Sequence, residues 1–399
     1  MIEQLDFDIN VEESYGVICQ RLYVVKSAGR GRYKVAETKD YQTITSFVMN
    51  LFLPYGYPHS VSQDYLRYQI FDSIQAFASS ITGSVCTHSI MKGVGVGDAS
   101  ATALAATFTW LYKDGVSMLG KIAFAWLQGT SLDIDCKKWR LFADILNDVA
   151  MLLDLLSPFC PYYFTFIICV SGVMKAIVGV AGGCTRAALT QHQAIKNNMA
   201  DVSAKDGSQE TLVNFIALLC SLFILPIVTE SVMLTCFLYF LMTAIHITAN
   251  YFAVKSVVMN TFNERRFEIY ACDYLKKAFK ISMVPESVNL DLLSVDEVNS
   301  KESVFFDFSQ EKVQIKLGAS FEDFVCYRSC EEVRKALKLY DDANYLLRIH
   351  IKAPSTALIY VTLNKKATAV NIMEAYFQAL FIKNIMDSCP FSLAPQAIG

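Results

Sequence analysis

The longest apolar runs of this 399-residue chain lie together, between residues 73 and 254. A helix needs about 17 to 25 mainly apolar residues to cross a bilayer. Four segments reach that length without a charged side chain, at residues 73–91, 155–174, 212–229 and 231–254. Four more are shorter or carry a charge, at residues 99–112, 116–132, 141–157 and 176–189. This pattern predicts a mainly α fold with a polytopic transmembrane helical core.

A Lys-Asp-Gly triplet occurs twice in this core, at residues 113–115 and 205–207. Each copy follows a glycine-containing segment that starts with lysine, at residues 92–97 and 175–180. If all eight segments cross the membrane, each copy contains four helices in the same orientation, which makes a tandem four-helix repeat. Duplicated helical halves are common in secondary transporters. The alternative is a chance resemblance between two glycine-rich segments.

Lysine and arginine residues are unevenly distributed over the two sides of this eight-helix arrangement. One side carries Arg67, Lys113, Lys196, Lys205, Lys255, Arg265 and Arg266, and the other carries Lys92, Lys137, Lys138, Arg140 and Lys175. Cytoplasmic loops usually hold the excess of basic residues. We therefore expect a protein integral to an intracellular membrane, with both termini in the cytosol. The acidic first residues lack an apolar core, so we expect no cleaved signal peptide.

The C-terminal part of the chain has a different periodicity. Residues 313–317, 347–352 and 357–363 alternate apolar and polar side chains, which predicts half-buried strands. A helix is predicted at residues 331–340. In the last predicted helix, one apolar face contains Val370, Met373, Phe377 and Leu380. Together these elements predict a small soluble α+β domain.

Three domains follow from these patterns. Residues 1–52 form an N-terminal segment in which residues 15–34 are predicted to make a β-hairpin, with a turn at Gly29–Arg32. Residues 53–260 form the helical membrane domain. Residues 261–399 form the soluble C-terminal domain.

Composition supports lipid as a partner and disfavours other classes of function. Hydrophobic residues make up 53% of the chain and charged residues 18%, against about 25% charged residues in typical soluble domains. A formal net charge of −3 argues against nucleic-acid binding. The twelve cysteines include no CxxC pair, so we expect small buried hydrophobic residues and no metal site. No Ser-His-Asp, Cys-His or HxxxH set is present at local spacing, so we expect a protein that is not an enzyme, and no cofactor is identified.

Ionisable side chains within the apolar segments are the candidates for a functional site, because charges inside a membrane are costly and usually functional. The candidate ligand-binding residues are Asp72, Asp144, Asp148, Arg186, His192, Lys205 and Asp206. Asp72 belongs to a polar stripe with Asp64, Tyr68 and Gln75, which either lines a cavity or forms a solvated helix entry.

Asp144 and Asp148 share one helix face, and their expected partners are Lys92, Lys175 or Arg186. The alternatives for this face are a structural ion pair and an interfacial helix.

The polar run at residues 182–211 is the other candidate region. Arg186 and Lys205 are predicted to hold an anionic ligand beside a helix N-terminus. Asp206 and Gly207 are predicted to form a turn, after which Ser208 caps the next helix. A capped connecting loop without a ligand is the alternative. The segment 93–97, with glycine at every second position, lacks the GxGxxG spacing of a dinucleotide loop and is better explained by close helix packing.

Several motifs resemble those of one known family. They are Leu53-Pro54-x-Gly56-Tyr57-Pro58-x-Ser60-Val61, Asp64-Tyr65-x-x-Tyr68-Gln69, Gly93-Val94-Gly95-Val96-Gly97, Lys138-Trp139-Arg140-Leu141, Ala143-Asp144-x-x-Asn147-Asp148, the run from Gly179 to Thr211, and Asn250-Tyr251-x-Ala253-Val254. By these motifs the chain resembles the root UVB sensitive (RUS) family, also described as the vitamin B6 photoprotection and homeostasis domain. Cys184 departs from the family pattern, which has a small residue such as alanine at this position.

The resemblance implies a membrane-associated protein linked in plants to seedling growth, ultraviolet-B response and vitamin B6 status. It implies no established reaction and no catalytic residues. Because the plant members act in pairs, it also implies a family paralogue or a second copy of the chain as a partner.

Pattern and resemblance together predict a transporter-like, non-enzymatic membrane protein that handles a small anionic metabolite such as a B6 vitamer. The alternative function is a membrane scaffold whose C-terminal domain recruits a protein partner.

Overall fold

The structure is a computed structural model that describes residues 9–15, 19–27, 33–40, 49, 51–96, 102–283, 291–306, 311–326, 329–353 and 356–388. It describes the first three of these ranges by their backbone alone. The chain divides into two compact units, Met1–Val258 and Met259–Gly399.

Six long helices form most of the first unit: α1 (Tyr65–Val94), α2 (Ala103–Gln128), α3 (Cys136–Leu156), α4 (Phe164–Gln193), α5 (Met199–Val228) and α6 (Val232–Ser256). Gly95 ends α1 with a φ of 94°, a left-handed conformation that glycine adopts without strain. Two short 3-10 turns, Ser157–Phe159 and Pro161–Tyr163, separate α3 from α4. The prolines in these turns lack the N–H group that would continue the helix.

The six helices alternate in direction. Phe71 of α1 stacks on Phe252 of α6, while Val85 shares a cluster with Tyr239, so α1 and α6 are antiparallel. The contacts of α3 follow α1 in the same order, since Arg140 contacts Asp72 and the Met151 carbonyl accepts a hydrogen bond from Cys86. α3 is therefore parallel to α1.

The remaining helices complete the alternation. Ser171 of α4 donates to the Ala150 carbonyl of α3, and Ala143 and Ala181 share a cluster, so α3 and α4 are antiparallel. Clusters at the start and at the end of α2 place it parallel to α4. Hydrogen bonds from Gln69 to Asp206 and from Ser80 to Asn214 show that α5 is parallel to α1.

Two ends of this bundle can therefore be defined. The Arg186 end contains the starts of α1, α3 and α5 and the ends of α2, α4 and α6. The Lys92 end contains the opposite termini, with the short segments 157–163 and 229–231 that join α3 to α4 and α5 to α6.

The structure does not support the arrangement in which all eight segments cross the membrane. The predicted segments 99–112 and 116–132 form the single helix α2. Lys113, where the two were divided, places its Nζ 4.3 Å from the centre of the Trp110 ring, so the charge is accommodated inside a helix. The segment 155–174 is interrupted by the proline turns, and its second part continues through Lys175 to the end of α4. Lys175 forms an ion pair with Asp154 of α3.

Three segments among the described residues are long and apolar enough to cross a membrane: Pro161–Gln193, Met199–Val228 and Val232–Ser256. The predicted segment 73–91 lies in α1, which is not among them. α1 instead buries eleven of its thirty residues within the protein, and Gln69, Gln75 and Thr82 are among them. The first unit is therefore a helical bundle with three strongly apolar helices. The structure does not support a membrane span for each of the predicted segments.

Both Lys-Asp-Gly triplets lie inside helices, in α2 and α5, and the predicted turns were wrong. Glycine inside a helix costs about 1 kcal/mol relative to alanine. A helix of 30 residues such as α5 tolerates that cost, and its Asp206 is held by side chains of α1 and α4. The packing interpretation of the glycine-rich segment holds at Gly93, where an added Cβ would collide with the Phe164 ring. Gly97 lies outside the described residues.

A small sheet precedes the helices in the first unit. Its strands are β1 (Ile9–Tyr15), β2 (Cys19–Ser27) and β3 (Tyr33–Asp40), paired antiparallel in the order β1-β2-β3. The predicted hairpin is therefore present as β2 and β3, with β1 as an additional strand. The predicted turn at Gly29–Arg32 lies outside the described residues.

The second unit contains α7 (Glu264–Met283), α8 (Val295–Lys301), β4 (Val313–Leu317), α9 (Phe321–Val325), α10 (Cys330–Leu339), β5 (Tyr345–Ala353), β6 (Thr356–Leu363) and α11 (Ala369–Ser388). β6 is the central strand, parallel to β4 and antiparallel to β5. The α+β character and all three predicted strands are confirmed. Part of the connection between β5 and β6, at Pro354 and Ser355, lies outside the described residues.

The apolar face predicted for α11 was partly wrong. Leu380 is fully buried, but Val370 and Met373 are 60% and 41% exposed. The sheet instead packs against a face that includes Ala375 and Ala379. These small side chains allow close approach, and the spacing of large apolar residues does not mark them.

Candidate functional site

A polar cluster lies between α1, α3 and α6, towards the Arg186 end of the bundle. The Arg140 Nη2 atom is 3.0 Å from Asp72 Oδ1, and its Nε atom is 3.5 Å from Asp144 Oδ2. Gln75 donates to Asp72 over 3.1 Å, and Asn250 of α6 donates to Asp144. Each of the three charged side chains is at most 16% exposed. Two buried carboxylates therefore share one permanent cation.

Asp148 lies one helical turn further along α3. Its Oδ2 atom is 2.8 Å from His246 Nδ1, and its backbone carbonyl accepts a 2.7 Å hydrogen bond from the Tyr239 hydroxyl. Asp148 is 3% exposed and His246 is 1% exposed. The Asp148 Oδ1 atom is buried and has no hydrogen-bond partner. A carboxylate oxygen in this state is costly and is therefore a candidate for binding something.

A second group of charges joins α1, α4 and α5. The Arg186 Nε atom donates to Asp206 Oδ2 over 2.6 Å, and its Nη1 atom donates to Glu210 over 2.5 Å. Gln69 of α1 donates to the other oxygen of Asp206 over 3.1 Å. Arg186 and Glu210 keep 37% and 39% of their side chains exposed. Arg186 is therefore already neutralised by two carboxylates, which disfavours the predicted anion site at this residue.

His192 and Asp64 form a separate contact at the Arg186 end. The His192 Nε2 atom is 2.9 Å from Asp64 Oδ2, and the Val258 N–H donates to the same oxygen over 2.7 Å. Burial alone would raise the pKa of Asp64, but hydrogen bonds from His192, Ser62 and Val258 outweigh it and hold the pKa below its usual value. This arrangement fixes the segment before α1 to the ends of α4 and α6.

The structure therefore separates the seven predicted site residues into different groups. Asp72 and Asp144 share Arg140, Asp148 pairs with His246, and Arg186 pairs with Asp206. His192 contacts Asp64, and Lys205 is half-buried on α5 beside Asp206. The expected partners of Asp144 and Asp148 were wrong, since neither contacts Lys92, Lys175 or Arg186.

Three residues of these groups were missed as site residues: Arg140, His246 and Asn250. Arg140 and Asn250 stood in the motifs quoted for the family resemblance but were not assigned a role. His246 is the single histidine of an otherwise uncharged apolar segment, and a lone ionisable residue in such a segment is itself a signal.

A cavity of about 250 Å³ lies at the Lys92 end of the bundle. Its lining residues are His88, Ser89, Lys92, Leu155, Leu156, Pro158, Phe159, Thr229, Val232, Thr235 and Cys236. This lining contains a lysine, a histidine, three hydroxyl groups and an aromatic ring, and none of its residues is acidic. The cavity is therefore suited to a small anionic ligand with an apolar part.

The described part of the chain contains no group of three or more His, Cys, Asp or Glu side chains that could hold a metal ion.

Two family models match the chain. The vitamin B6 photo-protection and homoeostasis domain matches residues 38–278, and the C-terminal domain of root UVB sensitive proteins matches residues 291–398. No solved structure matches the chain.

Curated relatives match over most of the chain. RUS family member 1 of Dictyostelium discoideum is 44% identical over 68% of this chain, which spans about half (49%) of that relative. Protein root UVB sensitive 3 of Arabidopsis thaliana is 33% identical over 85% of this chain and 76% of its own length. Protein root UVB sensitive 2, chloroplastic, of the same plant is 26% identical over 95% of this chain and 83% of its own length.

Proposed function

The chain belongs to the root UVB sensitive family, and from that premise we propose that its first unit is a membrane carrier for a small anionic metabolite. The observation that carries this proposal is the cavity at the Lys92 end, which is lined by basic, hydroxyl and apolar side chains without a carboxylate. The matching family domain is named for vitamin B6. Phosphorylated B6 vitamers are aromatic anions, so they are the first ligands to test.

Integral membrane insertion is supported by the exposed surface of the three apolar helices. In the most apolar 18-residue stretch of each helix, only 28%, 17% and 17% of the residues are buried within the protein. Large apolar side chains such as Phe215, Phe223 and Phe237 are 55%, 77% and 62% exposed. Helices that are apolar on all sides are normally buried or face lipid. Lipid is therefore the partner that this surface fits.

The order of helix packing supports a carrier of two equivalent halves. The first helix of each half, α1 and α4, packs mainly on the third helix of the other half, α6 and α3. The second helix of each half, α2 and α5, packs on the first helix of the other half. Each half contains three alternating helices, so the second half runs in the opposite direction from the first. Inverted repeats of this kind occur in many secondary transporters.

The two Lys-Asp-Gly triplets occupy matching positions in these halves. Lys113 of α2 lies against Gly172 of α4, and Asp206 of α5 accepts a hydrogen bond from Gln69 of α1. Each triplet thus faces the first helix of the opposite half. We therefore propose a three-helix repeat of inverted orientation in place of the predicted four-helix repeat.

The basic residues indicate the orientation in the bilayer. Near the Arg186 end the chain carries Arg67, Lys137, Lys138, Arg140, Lys196, Lys205 and Lys255. The sequence segments that join α1 to α2, α3 to α4 and α5 to α6 contain no lysine or arginine, and Lys92 lies in the last turn of α1. By the positive-inside rule, this distribution favours an orientation with the Arg186 end in the cytosol. The asymmetry is larger than in the eight-helix arrangement because residues 137–140 now lie at the same end as the other basic residues.

Transport can be tested with the purified full-length chain reconstituted in liposomes. We expect uptake of labelled pyridoxal 5′-phosphate, and weaker uptake of pyridoxine, which lacks the phosphate. Lys92→Ala should reduce uptake by about tenfold, since a hydrogen bond to a charged group contributes about 1.5–3 kcal/mol. Absence of uptake for every vitamer phosphate would refute this ligand class.

A matched control separates the cavity from general charge effects. Lys121→Ala removes an exposed lysine from α2, away from the cavity lining, and should leave uptake unchanged. Cys236→Trp should block uptake by filling the cavity without changing its charge. Equal uptake by the wild type and Lys92→Ala would remove the cavity from the proposal.

A second candidate function, a scaffold that recruits a protein partner such as a family paralogue, is favoured by α10 of the second unit. None of its residues is buried, and Leu337 and Leu339 are 41% and 80% exposed. Exposed apolar side chains on an amphipathic helix are typical of partner surfaces. Leu337→Glu together with Leu339→Glu should abolish partner capture and leave liposome uptake intact if this surface recruits a partner. Unchanged capture would refute it.

A further inference from the structure

The pair formed by Asp148 and His246 lies where the two inverted halves meet. Asp148 belongs to the third helix of the first half, and His246 belongs to the third helix of the second half. Their side chains are 2.8 Å apart and buried, and one Asp148 oxygen has no partner. A group in this position is contacted by both halves, so its surroundings change whenever the halves move relative to one another.

We propose that Asp148 and His246 together bind one proton, which is carried across the membrane with the anionic metabolite; this rests on the proposed carrier function. Proton binding adds H⁺ from water to the pair. It converts an aspartate beside a neutral imidazole, with one net negative charge, into a neutral pair. No covalent bond is otherwise formed or broken.

The charges around the pair favour a positive ligand. Asp72, Asp144 and Asp148 face the interior along α1 and α3, against the permanent cation Arg140, whereas Asp154 is compensated by Lys175. Apart from Asp72, the neighbouring groups on α1 and α6 are neutral: the Cys86 thiol, the Tyr239 hydroxyl and the Asn250 amide. The excess of buried carboxylates is therefore reduced when the pair takes up a proton.

The ligand set fits a proton better than a metal cation. Hard cations such as Ca²⁺ and Mg²⁺ take about six or more oxygen ligands. The pair offers one free carboxylate oxygen beside an imidazole, and no group of three metal-binding side chains exists among the described residues. One free oxygen is enough for a proton.

Access to the pair differs between the two ends of the bundle. Towards the Arg186 end, polar side chains continue from Asp144 and Arg140 to Asp72, and one turn away Gln69 contacts Asp206. The chain of polar groups ends at Arg186 and Glu210, which are partly exposed.

The opposite side of the pair is closed by apolar packing. Val85, Met151, Leu155 and Tyr239 form a cluster between the pair and the cavity at the Lys92 end. In this conformation the apolar cluster thus separates the pair from the metabolite cavity.

Two measurements on the full-length chain test the proton site. The first is histidine NMR in detergent, with the His246 signal assigned from His246→Gln. Asp148→Asn should weaken proton binding at His246 by about tenfold or more, because a carboxylate in contact changes an imidazole titration by about one to three pH units. An unchanged His246 titration would overturn the proposal. This measurement decides the proton site even if no metabolite is transported.

The second measurement is uptake driven by a pH gradient in liposomes. Wild-type protein should accumulate the metabolite when the pH gradient is imposed, whereas Asp148→Asn should lose accumulation and retain exchange of internal for external metabolite. Accumulation that follows a sodium gradient and ignores pH would overturn the proposal.

Asp154→Asn is the matched control, because Asp154 is equally buried on the same helix but is paired with Lys175. It should retain pH-driven accumulation and change the His246 titration by less than about twofold, since it does not touch the imidazole. Equal effects of the two substitutions in both measurements would overturn the assignment to Asp148.

Discussion

A buried ion pair in the second unit gives the most direct test of how the structure determines stability. The Arg266 Nη1 atom is 2.8 Å from Glu302 Oε1, and the two residues are 3% and 2% exposed. Asn263 donates to the same Glu302 oxygen over 2.9 Å. Arg266 Nε also donates to the Thr261 carbonyl over 2.8 Å. The pair thus joins the segment before α7 to the end of α8 without access to water.

Glu302→Gln keeps the size of this side chain but removes its charge. Removing one partner of a buried ion pair costs about 3–5 kcal/mol, because the remaining charge stays buried without compensation. The glutamine retains part of the hydrogen bonding, so we expect about 3 kcal/mol. Domains are stable by only about 5–15 kcal/mol, so this loss is a large part of the total.

Native-state hydrogen exchange of the full-length protein measures this loss. Amides in α7 and α8 should exchange about a hundredfold faster in Glu302→Gln, since about 1.4 kcal/mol corresponds to a factor of ten. Replacing both partners, by Arg266→Met with Glu302→Leu, should recover a large part of the stability. Glu331→Gln is the control: it breaks an exposed pair with Lys335, whose side chains are 76% and 78% exposed, and should leave the exchange unchanged.

A change of less than about fivefold in Glu302→Gln would refute the reasoning, because it corresponds to under about 1 kcal/mol and therefore to a pair that water already screens.

Three further predictions concern other parts of the chain. Lys383 contacts Glu268 and Glu311; burial alone would raise the pKa of Glu268, but hydrogen bonds from Lys383 and Arg265 hold it below its usual value. The stabilisation by the ionised Glu268 is therefore complete above about pH 4.5 and is lost as the pH falls through its lowered pKa. In acid titrations followed by circular dichroism, the stability difference between wild type and Lys383→Met should shrink below about pH 4.5. Gly172→Ala should destabilise the first unit by about 1–3 kcal/mol, because the added Cβ would meet Ser117 at 2.5 Å. The Cβ of Gly179→Ala, on the same helix, would meet nothing within 4 Å and should not destabilise the unit. Thermal unfolding in detergent compares the two variants, and equal losses of stability would contradict the close packing of α2 on α4. Cysteine reporters at Thr130 and Lys196 should be labelled from the same side of the membrane, and one at Ser231 from the other, whereas the eight-helix arrangement would place Thr130 opposite Lys196.

The C-terminal unit was the part of the fold most accessible to prediction. Its three strands alternate apolar and polar side chains because one face packs against α11, and this period of two is visible in the sequence. The buried face of α11 was not, because Ala375 and Ala379 are buried by close approach and not by their own hydrophobicity.

The number of helices in the first unit was harder to predict, because single charges were taken as boundaries. Lys113 and Lys175 both lie inside long helices, stabilised by an aromatic ring and by an aspartate from elsewhere in the chain. Such partners are known only once the helices are packed. The proline turns were the true boundary between α3 and α4, and their missing N–H groups are a local signal in the sequence.

The sequence indicated the acidic residues of the candidate site but not their partners, because those partners too are brought together only by helix packing. Asp144 and Asp148 attract attention because carboxylates are rare in apolar helices. Their partners Asn250 and His246 lie 106 and 98 residues away, and neither carries a fixed charge. Sequence spacing therefore identified the residues that need compensation, and packing alone shows what compensates them.

For the carrier that we propose, the charge distribution favours one end of the bundle over the other as the binding place of an anion. At the Arg186 end, the arginine already contacts two carboxylates, and an anionic ligand would have to displace Glu210 or add a third negative charge. At the Lys92 end, the cavity lining contains no acid, and the lysine stands beside hydroxyl groups and an aromatic ring. Because like charges within a few ångströms repel and opposite charges attract, an anion is favoured at the second position. The acids predicted to form the ligand site are then better suited to hold the proton that we propose to accompany the metabolite.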